Sequence, residues 1–225
     1  MSPALELCHV FVFVEPGAPE AARLEEAGLR ESFRRQHPGQ GTTNVCYCFD
    51  NAYLELFWVE DEAAVTGPTI ARTRLAERAR WRETGASPLG IALRTAAPHP
   101  SLPFPTWDYR PPYLPAGMVI PVALASEDPR QPFVFRPPSS SRPDTWTDGR
   151  AGDRQRQAGL AELLGIELEL PARVPPGDAL RLLAATGLLT LGVSPDEQQR
   201  LVLSLSRADG GPPRRLSLPE FRWLL

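Results

Sequence analysis

Lysine is absent from the 225-residue chain, histidine and cysteine number three each, and methionine two. All 24 basic residues are therefore arginine, set against 27 acidic ones for a net charge of −3. The arginine bias reads as genome composition and carries no functional weight. No basic block stands out, so the electrostatic footprint of nucleic-acid binding is missing. No uncharged apolar run approaches the ~20 residues of a membrane-spanning helix. The opening "MSPALELCHVFVFVEPG" lacks a basic leader and alternates like a strand, so no signal peptide is expected. Cys46 and Cys48 sit two apart on one predicted strand, a poor geometry for a disulfide. A reduced, cytoplasmic setting is the expectation. With no C-x-x-C, the cysteines read as small buried apolar residues rather than a metal cluster or nucleophile. Gly-x-Ser-x-Gly, phosphate-loop and dinucleotide fingerprints are missing too.

Proline is plentiful: 26 residues, more than twice the usual share of about 5%. Most lie in 98–143 and 171–176. With 42% hydrophobic residues, the chain can bury a sizeable core.

Residues 5–14 are Val- and Phe-rich and end at Glu15-Pro16-Gly17, predicting a strand. Residues 18–29 follow a helical period, with Pro19 suited to the first turn and Gly28 to the end. A short strand is expected over 30–36, then strands over 43–49 and 52–59 joined by Asp50-Asn51. The order is βαβββ. A basic helix is predicted over 69–82 and strands over 88–95, 118–125 and 132–136. Residues 98–117 show no period, and 137–153 read as an exposed loop. A second βαββ order follows: strand 165–171, helix 177–189, strands 197–207 and 214–225. The expected class is α+β, with two βαβββ-type modules curled into a cup around a Pro-rich insertion. The divisions are 1–62, 63–158 and 159–225, forming one structural unit.

The stretch "LCHVFVFV" resembles the first strand of the vicinal oxygen chelate superfamily: glyoxalases, extradiol dioxygenases, and bleomycin- and fosfomycin-resistance proteins. "HPGQGTTNVCYCFDNAYLELFWV" is similar to the glyoxalase-like branch, with its HPG-x-GT-x-N turn and "YLEL" strand, and "SPLGIALR" and "QPFVF" resemble its middle. The resemblance implies a metal site, with His9 matching the first-strand ligand and Glu55 the last-strand ligand of module one. In module two, "GIELELP" has no matching His, and only Glu220 is available near the end, as a third ligand or a base. The implied ion is divalent: Zn, Mn, Fe or Ni.

Alternation puts Leu7, His9, Phe11 and Phe13 on one face, and Tyr53, Glu55 and Phe57 on one face. His9 and Glu55 are then metal ligands, a metal-free polar pair in a ligand cup, or solvent-facing residues. In the turn His37-Pro38-Gly39-Gln40-Gly41-Thr42-Thr43-Asn44, glycines free the backbone to converge on a ligand or simply to turn. His37, Gly39, Gly41, Thr42 and Asn44 are the expected ligand contacts. Trp107 and Tyr109 either line the pocket mouth or pack the Pro-rich crossover; His99 is expected in a surface loop. The functional expectation is a small oxygen-rich metabolite bound in the cup, acted on by a metal-dependent lyase or isomerase that uses Glu55 and Glu220. The alternative is non-catalytic sequestration, as in resistance proteins. A homodimer is the expected assembly, with a small molecule and no nucleic acid or membrane as partner.

Overall fold

The computed structural model describes residues 5–95, 101–138 and 141–224; His99 lies outside them. Strand β1 (Leu5–Phe13) leads into helix α1 (Ala21–Glu26), then β2 (Phe33–His37), β3 (Thr42–Cys48) and β4 (Tyr53–Val59). Four short helices follow: α2 (Glu62–Val65), α3 (Pro68–Ala71), α4 (Leu75–Ala79) and α5 (Trp81–Thr84). They replace the single helix expected over 69–82. The break falls at Arg74, whose φ of 60° cannot continue a right-handed helix. Strands β5 (Leu89–Thr95), β6 (Thr106–Tyr109), β7 (Ile120–Ala123) and β8 (Phe133–Phe135) complete an eight-stranded sheet.

Its order is β2-β3-β4-β1-β5-β8-β7-β6. β1 runs parallel to β4, and β5 parallel to β8. β3 and β7 are antiparallel to those partners, and β2 and β6 lie at the two edges. The two halves thus repeat one strand order, joined at the antiparallel β1–β5 seam. The second half comes from 89–135, which the sequence presented as a connection. Residues 106–109 pair as an edge strand although prolines surround them, because an edge leaves one side of the backbone unpaired.

Residues 160–224 instead form a separate five-stranded sheet of β9 (Leu160–Pro171), β10 (Leu189–Ser194), β11 (Arg200–Arg207), β12 (Arg214–Leu218) and β13 (Arg222–Leu224), in the order β10-β9-β11-β12-β13. Helix α6 (Asp178–Ala185) crosses from β9 to its parallel neighbour β10. In β1–β4 the strand after the helix lies three places from β1, whereas here it lies next to β9. The element order of the two regions is alike, but the sheet order is not.

Alternation sorts the first sheet's faces. Val10, Val12, Leu54, Leu56 and Ile91 join a core that includes Leu24 of α1 and Leu168, Leu203 and Leu216 of the second sheet. The other face carries Phe11, Phe13, Phe57, Ala92, Phe133 and Phe135. A register shift between Leu7 and His9 breaks the simple alternation of β1. It sends Leu7 to the back core and lets Cys8 join the cup face, against the expectation that Leu7 shares a face with His9. At the β3–β4 turn, Asn51 acts as a surrogate strand residue: its amide accepts from Leu163 N–H at 2.8 Å and donates to Leu163 C=O at 2.9 Å. Asp50 N–H donates to Ala161 C=O, so this hairpin ties the two sheets together.

Candidate ligand cup

The curled face encloses a cavity of ≈ 250 Å³. The polar groups that strands of the first half bring to it share one face, because strand residues two apart point the same way. β1 gives His9, β2 gives Arg35 and His37, β3 gives Asn44 and β4 gives Glu55. The second half supplies Phe133 and Phe135 at the facing positions.

Glu55 is 7% exposed and His9 4%, so both are removed from bulk water. Glu55 Oε2 lies 3.6 Å from His9 Nε2, and Glu55 Oε1 accepts from Asn44 Nδ2. Burial pushes the Glu55 carboxyl up to about 7, with the Asn44 hydrogen bond and the Arg35 charge pulling the other way. Burial holds the His9 imidazole down at about 3, with the nearby His37 adding to the effect. His9 is therefore neutral at pH 7, stacked on Tyr53 at 4.3 Å and edge-on to Phe135. The pair is a neutral imidazole beside a carboxyl that titrates near neutrality, so the solvent-facing alternative for these positions does not hold.

A second polar chain backs the wall. Tyr109 O–H donates to Gln40 Oε1 at 2.6 Å, Gln40 Nε2 donates to Thr42 Oγ1 at 2.7 Å, and that oxygen lies 3.1 Å from His37 Nδ1. Burial lowers His37 to about 3, with the Arg35 charge adding to it.

The turn residues divide. His37 and Asn44 line the cavity, as does Gln40, whose role alternation gave no reason to suspect. Gly39, Gly41 and Thr42 do not. Gly41 has a φ of +78°, and a Cβ there would lie 2.3 Å from Asp61 O and 2.9 Å from Val65 N. At Gly39 a Cβ would meet Pro112 at 2.8 Å. The glycines thus admit the protein's own chain, not a ligand.

Tyr109 lines the cup, whereas Trp107 does not; the Arg72 guanidinium covers its ring at 4.4 Å. Glu220 lies in the second sheet, between β12 and β13, held by Ser217 Oγ at 2.6 Å and 3.5 Å from Arg200. It is not brought to the cup. Trp146 and Arg150, in the segment expected as an exposed loop, reach the cavity. No periodicity marks that segment, so nothing in the sequence pointed to them.

All three cysteines are free and buried. Burial raises Cys8 to about 12, Cys48 to about 11 and Cys46 well above its ordinary value. These are inert thiols, the opposite of an activated nucleophile.

Residues 7–101 match the family model of the glyoxalase-like domain. This stretch is similar to glyoxalase-like domains. It spans β1 to β5, and with the strand order of the cup it is consistent with the vicinal oxygen chelate superfamily. No curated protein matches the sequence. A metal in the position this likeness implies would take His9 and Glu55 from the matched stretch. The facing wall meets it with the hydrocarbon rings of Phe133 and Phe135. Among the described residues no group of three His, Cys, Asp or Glu is placed to hold an ion. Two donors fall short of the three or more protein ligands usual for a catalytic ion, so this donor set does not by itself fit one. Also among the described residues, no helix is long and apolar enough to cross a membrane.

Proposed function

We propose that the cup binds a small oxygen-bearing metabolite and that Glu55 exchanges a proton with it, giving an isomerase or lyase chemistry. One observation carries this reading: a carboxyl raised to about 7, fixed by Asn44 and set beside a neutral imidazole in an aromatic cavity. A general base works best with a pKa near the operating pH. Glu55 as carboxylate takes a proton from a carbon next to the ligand's carbonyl, and as acid returns it to the neighbouring atom. The apolar walls keep water from competing for that proton.

The test is deuterium uptake by hydroxyacetone in D2O, followed by NMR, with and without added Zn²⁺, Mn²⁺ or Ni²⁺. Exchange should rise through about pH 7 as Glu55 ionises, and Glu55→Gln should abolish it. The second reading, non-catalytic sequestration, draws support from Phe133 and Phe135 standing where a second set of polar groups is expected. Saturable binding of small metabolites, with no exchange under any of these conditions, would select it.

A further inference from the structure

Asn44 is 2% exposed and lines the cavity. Its Nδ2 donates to Glu55 Oε1. Its Oδ1 is buried and has no hydrogen-bond partner among the described residues. A buried acceptor left unmet is costly, and a ligand group that brings an N–H or O–H to this atom would relieve that cost.

The residue directly paired with Asn44 across the β2–β3 ladder is Arg35. Directly opposed side chains on one face have Cβ atoms about 5 Å apart. Arg35 also lines the cavity, and its guanidinium lies 5.4 Å from the centre of the Tyr113 ring. No acidic side chain forms an ion pair with it among the described residues. The other arginine of the cup, Arg150, differs: it lies 3.3 Å from Asp148 and is stacked on Trp146 at 3.9 Å. The charge of Arg35 is felt inside, where it opposes the burial of the Glu55 carboxylate. An unpaired guanidinium at the rim, beside a buried unmet acceptor, with Phe57, Tyr53 and Phe135 beyond, defines three separate demands on one ligand.

Resting on the cup-binding reading above, we propose that the ligand is a small aromatic acid bearing a hydroxyl or N–H close to its carboxylate. The carboxylate meets the Arg35 fork, the neighbouring donor meets Asn44 Oδ1, and the ring lies against the aromatic wall. Arg35 is a specificity residue, and Asn44 reads the neighbouring donor while it holds Glu55.

Three probes separate the demands in calorimetric titrations at low salt: mandelate, its uncharged amide mandelamide, and phenylacetate, which lacks the hydroxyl. Mandelate should bind about ten-fold more tightly than either of the others, as expected for one charge-assisted and one buried hydrogen bond. Arg35→Gln should erase the preference for mandelate over mandelamide while leaving mandelamide unchanged. Arg35→Lys should keep part of it. Asn44→Ala should erase the preference over phenylacetate, with circular dichroism confirming the fold of each variant. Equal binding of mandelamide and mandelate, or a preference that survives Arg35→Gln, overturns the proposal and leaves the cup a binding site for neutral molecules. If none of the three probes binds, this proposal falls; the cup-binding reading falls with it only if hydroxyacetone also shows neither binding nor exchange.

Discussion

Asn44 of β3 and Glu55 of β4 share one hydrogen bond across the sheet, and that bond works against the burial that raises the Glu55 carboxyl. The amide donates to Glu55 Oε1 and favours the ionised carboxylate, against burial that favours the acid. Replacing Asn44 with Ala removes the favouring contact. The Glu55 carboxyl should then titrate above its present value of about 7, read from its side-chain ¹³C shift in a pH series. A Glu55 that titrates unchanged or lower in Asn44→Ala would show that this bond does not govern it.

Stability should rise with pH across the mildly acidic range. His9 and His37 are held near 3 in the folded state against an ordinary 6.5, so below pH 6.5 the unfolded chain takes up two protons that the folded chain refuses. Their destabilising effect begins as pH falls through 6.5 and is complete near 3. Glu55 opposes them: between 4.5 and about 7 the folded state keeps a proton that the unfolded state has lost. From these three groups the net is one proton between pH 4.5 and 6.5, a gain of roughly 1.4 kcal/mol per pH unit as pH rises. Urea unfolding at pH 4.5, 5.5 and 6.5 measures it. His37→Gln should flatten that slope, and Glu55→Gln should steepen it.

Gly41→Ala should lower stability by about 2–4 kcal/mol, since the new Cβ meets backbone atoms of the α2 turn and the residue must hold a positive φ. Affinity for cup ligands should be retained in the folded fraction, because Gly41 does not line the cavity. Thermal melts and titrations on the same samples check both halves of this expectation.

Arg78 is fully buried and, among the described residues, no carboxylate pairs with its guanidinium; it is bonded to backbone carbonyls of Ser87, Ser126, Pro129 and Gln131, with Thr73 at 3.5 Å. It pins the helical segment to the β7–β8 connection behind Phe133. Burial brings its pKa down to about 9. Arg78→Ala strands these carbonyls and should cost about 3–5 kcal/mol. Arg78→Lys, with three donors in place of five, should recover part of that in denaturant unfolding.

The sequence by itself determined β1 to β4. Their alternation is strong, the Asp50-Asn51 turn is short, and each partner lies close along the chain, so local pattern and pairing coincide. Strand parity also put His9 and Glu55 among apolar neighbours, whereas His37 and Asn44 were expected from the glycine-rich turn and lie on β2 and β3, lining the same cavity. Arg35 was within the same reach, as it lies two residues from His37 and from Phe33 on β2. Tertiary structure decided the rest. The β1–β5 seam joins residues more than 75 positions apart, and no local signal announces which strand a β1 edge will accept. Element order suggested 159–225 as the cup's second half, but β-α-β order is compatible with more than one sheet order, and here the helix crosses to an adjacent strand. The shift at Leu7–His9, the burial of Arg78 and the reach of Trp146 into the cavity depend on contacts between distant segments. A single chain's periodicity holds no record of them.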